Sequence, residues 1–300
     1  MRLPLPGGVT MARHCMMAVL LLAAGLAPPA RAQTPLEWKL KKGDVFYVRN
    51  VTTTKQVLKA VGKDVPQNSE LTVVLGFTVA DQTPEGFLLK ETVEEVTVKP
   101  EKGEPVSDDK MAGATFVILL SPKWEVLKFE GYDKFLDKLA GDDVAVRQAL
   151  QATLSEDALK KSVRELMAFL PDRPVKEGET WERTVEQPLG ALGTLRETRK
   201  YKYEGKDADG EKITFTTAVT FTPGKKTENL TYYVLSGRME AKDAKGTVLF
   251  NSAGRVLRIK SDLRLTGTME MSISDVRVSA ALEQDLDTLV EILKENPVKK

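Results

Sequence analysis

The chain has 300 residues, with 44 Lys and Arg against 43 Asp and Glu and a formal charge of +1. Charge so evenly balanced leaves no electrostatic footprint for nucleic acid or for an anionic lipid surface. The single histidine and single cysteine are His14 and Cys15. If both leave with an export leader, the remainder has no Ser-His-Asp triad, thiol nucleophile, histidine shuttle, Cys/His zinc site or disulfide.

The leader is legible at the start of the chain. Arg2 and Arg13 precede an apolar run from Met16 to Ala27, which Pro28 and Pro29 end. Ala30-Arg31-Ala32 then gives the small-x-small pattern of a signal-peptidase site. The run is shorter than the roughly 20 residues a membrane span needs. Cys15 precedes it, whereas a lipidated cysteine would follow it. The expectation is a signal peptide over 1–32, starting at Met1 or Met11, and an exported product that is soluble after cleavage near Ala32. That product is periplasmic or secreted and has no integral membrane segment. It would carry 268 residues and a charge of −2, because the leader removes three arginines and no acids.

Residues 33–130 read as a first antiparallel β-unit. Leu71, Val73, Leu75, Phe77 and Val79 alternate with smaller or polar residues, so one strand face is buried and the other wet. Between Phe87 and Val98 the apolar phase slips from odd positions (Phe87, Leu89, Val93) to even ones (Val96, Val98), which predicts a bulge near Glu94-Glu95. Lys41-Lys42-Gly43-Asp44 and Pro84-Glu85-Gly86 supply turn chemistry.

Residues 131–170 change period. Tyr132, Phe135, Leu136 and Leu139, then Val146, Leu150 and Leu154, then Leu159, Val163, Leu166 and Leu170 predict two or three helices with an apolar face. Ser155 is placed as an N-cap, with Glu156 and Asp157 in the first turn, and Pro171 as the stop.

Residues 171–300 read as a second β-unit, with 33–300 as one compact domain the alternative. Ile213, Phe215, Thr217, Val219 and Phe221 share a face, as do Leu257, Ile259, Ser261, Leu263, Leu265, Gly267, Met269, Met271 and Ile273. Asp207-Ala208-Asp209-Gly210, Pro223-Gly224 and Ala253-Gly254-Arg255 are the turns. Ala280–Leu293 fits a helix stripe (Leu282, Leu286, Leu289, Leu293) and a strand face (Leu282, Leu286, Val290, Ile292) equally well. The fold class is therefore mainly β with a central helical segment (α+β). Its long antiparallel strands form curved sheets or an open barrel, closed by the helices near 131–170.

The halves echo one another. Lys42-Gly43-Asp44-Val45-Phe46 matches Glu177-Gly178-Glu179-Thr180-Trp181. Ala114-Thr115-Phe116 with Glu125-Val126-Leu127 matches Gly246-Thr247-Val248 with Arg255-Val256-Leu257. These matches suggest a duplicated β-unit.

Chemistry is sparse. Asp207-Ala208-Asp209-Gly210-Glu211 opens like a calcium loop but has Lys212 where that loop needs glycine, so it reads as a turn. The acid pairs Asp108-Asp109, Asp142-Asp143 and Glu94-Glu95 read as solvated surface rather than as a glycosidase or protease dyad. Ser155 and Ser162 near Lys160 and Lys161 lack the Ser-x-x-Lys spacing. Trp38, Trp124 and Trp181 read as core residues over sheet edges. No catalytic, cofactor-binding or metal residue is assigned. Phe250, Leu263, Leu265, Met269 and Met271, with Met239, are the candidate apolar ligand-facing residues.

The signal, the Lys42-Gly43-Asp44 opening, Pro174–Trp181, the hairpin from Gly246-Thr247 to Gly254-Arg255-Val256-Leu257 and the Asn296-Pro297 ending resemble a family of exported bacterial proteins. That family has no assigned function and is common in planctomycetes. The resemblance implies a β-rich exported fold, favours a strand at Ala280–Leu293, and brings no site residues. A curved sheet closed by helices is also similar, at fold level alone, to periplasmic lipoprotein carriers. The expectation is a non-enzymatic binding module for a lipid-like or hydrophobic small molecule. Its alternatives are a structural or interaction protein docking an envelope protein, and a carboxylate- or metal-dependent hydrolase.

Overall fold

A computed structural model describes residues 33–188, 193–224, 232–273 and 276–298. The expected signal peptide over 1–32, with His14 and Cys15, lies outside them. The described chain forms one antiparallel sheet whose strand order is β6-β5-β3-β2-β1-β12-β11-β10-β9-β8-β7, with β4 beside β3.

The first meander runs through β1 (Val45–Ala60), β2 (Lys63–Thr83), β3 (Gly86–Pro100), β4 (Val106–Ser107), β5 (Thr115–Leu120) and β6 (Val126–Glu130). Three helices follow: α1 (Tyr132–Ala140), α2 (Val144–Thr153) and α3 (Glu156–Met167). The second meander runs through β7 (Thr180–Pro188), β8 (Gly193–Asp207), β9 (Gly210–Pro223), β10 (Tyr232–Asn251), β11 (Arg255–Ile273) and β12 (Val276–Leu293). The C-terminal strand β12 joins the halves by pairing with β1 on one side and β11 on the other.

This placement resolves the ambiguity at Ala280–Leu293 in favour of a strand. Two partners supply backbone hydrogen bonds along its whole length, and cross-strand packing overrides a helix-compatible pattern. Leu282, Leu286, Val290 and Ile292 lie opposite Leu58, Thr54, Asn50 and Val48 of β1.

The expected bulge is present: Val74 pairs with Glu95 and Leu75 with Val93, so Glu94 is the extra residue. A second bulge corrects the assigned face of β11. Phe250 pairs with Val256 and Leu249 with Arg258, which makes Leu257 the inserted residue and leaves Val256 wholly buried in its place.

The helices form where the spacing places them. Asp143 caps α2 by accepting from the amides of Ala145 and Val146, and Ser155 caps α3 by accepting from Ala158 at 3.2 Å. The stripe on α3 is Val163 and Met167, with Leu159 and Leu166 at its margins. The helix ends at Met167, so Leu170 packs from the loop beyond it.

The core lies at one end of the sheet. One apolar cluster includes Phe46, Phe77 and Leu89, then Phe116 and Ile118 near one edge, and Tyr201 and Ile213 near the other. Phe135, Leu136, Val163 and Met167 of the helices belong to it, as do Leu36, Trp38 and Leu40 of the segment before β1. A single cluster drawing on both edges requires the sheet to curl around the helices. It does not close, since β6 and β7 are its unpaired ends.

The two meanders are built alike. Gly43 and Gly178 have φ of +88° and +87°. Their amides donate to Val79 and Tyr203 at 2.8 and 2.7 Å, and the amides of Val79 and Tyr203 donate back to Asp44 and Glu179. Gly86 and Gly210, at φ +142° and +148°, press against the carbonyls of Leu120 and Phe250. The bulge at Leu127 repeats at Leu257. The register corrects one part of the sequence echo: Phe116 faces Glu91 as Gly246 faces Phe215, so Thr115 corresponds to Lys245 rather than to Thr247.

Candidate functional site

Beyond the packed end the central strands run on past the apolar cluster, and the side chains of their inward face there are mostly half-buried. On β10 and β11 that face is mainly aliphatic, and on β12 aliphatic residues alternate with Thr288 and Gln284. Leu263 lies opposite Leu286, Leu265 opposite Ala241, Met239 opposite Gly267, Met269 opposite Gly237 and Ala280, and Met271 opposite Val234 and Val278. Leu263, Met269 and Met271 are half-buried and Leu265 is buried. Across the sheet Leu71 and Val98 are exposed large aliphatics of the same face. Down β1 runs a polar row that its neighbours satisfy. Gln284 donates to Gln56 and Gln56 to Gln67, each at 2.9 Å, and Thr52 meets Thr288. The outward face carries cross-strand ion pairs such as Arg49–Glu291, Lys59–Glu283 and Arg264–Asp285.

Four of the five residues singled out in the sequence therefore share this face. Phe250 does not join them. It is in the packed core, where its ring meets Trp38 edge-on at 6.0 Å. Trp38 donates its indole N–H to Met167 O at 2.9 Å. Trp124 stacks on Phe87 at 5.2 Å and Trp181 on Tyr201 at 5.5 Å, so all three tryptophans work in packing.

The seam between the sheet ends holds a second feature that periodicity did not flag. A cleft of about 1290 Å³ opens there, with α3, β7 and β8 among its walls. Its lining includes Lys161, Glu165, Arg183, Arg199 and Tyr201. Arg183 and Arg199 are cross-strand partners. Arg199 binds Glu197 at 3.0 Å and lies over the Phe215 ring at 5.8 Å. Arg183 donates to Ala168 O at 3.0 Å, to Leu170 O, and to Asp172 at 3.0 Å. Lys161 reaches the Glu186 carbonyl on β7 and lies 3.9 Å from Glu165.

Desolvation dominates the electrostatics of this cluster. Burial pushes the Glu165 carboxyl up, against the pull of Arg199 and Lys161. Burial pushes the Lys161 ammonium down, against Glu165, Glu197 and Glu186. Burial also opposes the Arg199 charge, but Tyr201, Glu197 and Glu165 outweigh it and hold that charge in place.

The acid pairs have structural partners. Asp108 accepts from Lys110 and Met111 in a turn, Asp143 caps α2, and Glu94 accepts from Asn296 at 2.9 Å. Among the described residues no group of three or more His, Cys, Asp or Glu is arranged to hold a metal. No described helix is long and apolar enough to cross a membrane.

The sequence reading missed Arg183, Arg199 and the buried Glu91. A signal for the arginines was present: in the aligned halves they stand where the first half has Val48 and Leu75.

No curated protein matches the chain. Among solved structures it is similar to one described as lipid–protein interactions in lipovitellin, with a TM-score of 0.42 and 8% identity over 87% of this chain. The match spans 26% of the lipovitellin chain. It is also similar to OpdL of Pseudomonas aeruginosa, with a TM-score of 0.22 and 11% identity over 83% of this chain and 99% of that one. The COG4313 outer membrane channel of Pseudomonas putida F1 gives a TM-score of 0.18 and 11% identity over 86% and 98%. At these scores no residue correspondence is drawn. A sequence model matches residues 89–274, more than half of the chain, and by it the protein belongs to DUF6263, a family of unknown function.

Proposed function

We propose that the protein is a non-enzymatic binding module that holds a lipid-like hydrophobic ligand on the inward face of the open half of its sheet. One observation carries this reading. Long strands continue past the packed end with aliphatic and methionine side chains on one face, and Leu263, Met269 and Met271 there stay half-buried outside the core cluster. Half-buried apolar side chains gathered on one face are what ligand grooves present, and methionine adapts to ligands of varied shape. An exported product would meet such ligands in the envelope.

Native mass spectrometry of the protein purified from its source cells, before and after solvent extraction, tests the reading. A discrete mass lost on extraction supports it, and a bare chain in both samples counts against it. Met269→Glu and Met271→Glu place a charge on the half-buried face without opening the core. Each is expected to lower retention of the ligand at least tenfold while shifting stability by less than about 1 kcal/mol.

A second reading rests on the unpaired edges of β6 and β7. Free edges accept strands from other proteins, so docking of an envelope protein is the alternative. Crosslinking to a defined partner through β7 would favour it.

A further inference from the structure

The two halves can be compared position by position on their inward faces. Phe46 stacks on Phe77 at 5.2 Å in the first half, and Trp181 stacks on Tyr201 at 5.5 Å in the corresponding place of the second. The next inward pair of the first half is Val48 and Leu75; in the second half it is Arg183 and Arg199. The fold thus tolerates aliphatic residues at this layer, and the second half spends two cations there.

Like charges directly opposite on a sheet are destabilising. The cost is only partly met within the chain. Arg183 is committed to the carbonyls after α3 and to Asp172. Arg199 gives one nitrogen to Glu197, out of five N–H donors. Its side chain is still a third exposed, toward the cleft. Lys161 brings a third cation from α3, and Glu165, Glu197 and Glu186 are the facing carboxylates. Along β8 the inward face then passes through Glu197, opposite Val219, to Leu195, opposite Phe221. The strand that gives Arg199 to the cleft therefore continues as an apolar inward face beyond it.

We propose that Arg199, with Arg183 and Lys161, receives the anionic head of a single-chain amphiphile whose tail lies on the open apolar face. This deepens the binding reading above and rests on it. A carboxylate and a phosphate head share the required chemistry, since a guanidinium takes either in a bidentate pair.

Calorimetric titration of the protein with oleate, oleyl phosphate, oleyl alcohol and acetate tests the proposal. The charged amphiphiles are expected to bind at least tenfold tighter than the alcohol, and the tighter of the two identifies the head. Arg199→Leu installs the residue that the first half carries at this place, and is expected to abolish the preference by weakening the charged amphiphiles at least tenfold more than the alcohol. Arg199→Gln gives the same readout if the leucine variant does not fold. Equal binding of acids and alcohol, or a preference that survives both variants, overturns the proposal and leaves the binding reading standing. Acetate bound as tightly as oleate reduces the site to a bare anion site and also overturns it. If none of the long-chain compounds binds, the binding reading falls too.

Discussion

Glu91 is the residue whose position the surrounding packing explains least. Its side chain points into the core between Phe77 and Phe116 on the neighbouring strands, it is 7% exposed, and its Oε2 has no hydrogen-bond partner. The corresponding place in the second half holds Phe215, whose ring lies over Gly246. In the first half the ring is instead on the partner strand, as Phe116. Burial pushes the Glu91 carboxyl up from 4.5 to about 7. The folded chain therefore keeps a proton that the unfolded chain releases. The stability of the neutral form is complete below about pH 4.5 and is lost as pH rises through 7, by roughly 3 kcal/mol. Urea unfolding at about pH 5 and about pH 8 should show this loss, and Glu91→Gln should flatten it. Leu89-Lys90-Glu91-Thr92-Val93 reads as a strand with charged residues on both faces. The odd phase of Phe87, Leu89 and Val93 already puts Glu91 on the apolar face; that it is shut in there between Phe77 and Phe116 depends on strand partners, which no local pattern contains.

The elements were more legible than their contacts. Helix spacing, the Ser155 cap and the Glu94 bulge are local, and all three could be read from periods and turn residues. Ser155→Ala should cost about 1 kcal/mol in thermal unfolding, because it orphans the Ala158 amide at the start of α3. The face of Val256 and Leu257 was not legible, because the β10–β11 bulge moves the core position by one residue. The glycines opening β3 and β9 give a sharper test of the duplicated architecture. A Cβ on Gly86 would stand 1.7 Å from the Leu120 carbonyl oxygen, and one on Gly210 would stand 2.6 Å from that of Phe250. Both sites also have positive φ, so Gly86→Ala and Gly210→Ala should each destabilise by more than about 2 kcal/mol, Gly86→Ala the more. Trp124 shows the opposite choice. It adopts φ +65° in the turn where the second half has Gly254 at +75°. The strain of a bulky residue there is offset by its stacking on Phe87.

At the scale of the molecule, the halves follow one another in the same sense around the sheet. β12 fills the place between the first strand of one half and the last strand of the other. The equivalent place between β6 and β7 is the seam, beside which α3 packs. A helix is about 10 Å across, close to two strand spacings, so one helix can occupy what one strand would otherwise bridge. It cannot supply ladder hydrogen bonds, and the seam is where the cleft opens. The sequence suggested the duplication, but its cleft stayed hidden. The residues that make it, from α3, β7 and β8, are brought together by a register that no motif marks.

The position of β12 also sets an order of events for the chain as it forms. Arg49 meets Glu291 across 242 positions of sequence, and the central ladder cannot begin until the last strand exists. Until then β1 and β11 each present an open edge, and loop closure over such a span is slow. Acquisition of the native sheet should thus be a single late step, and kinetic refolding should show the amides that bond between β1 and β12 gaining protection together, after those within each meander.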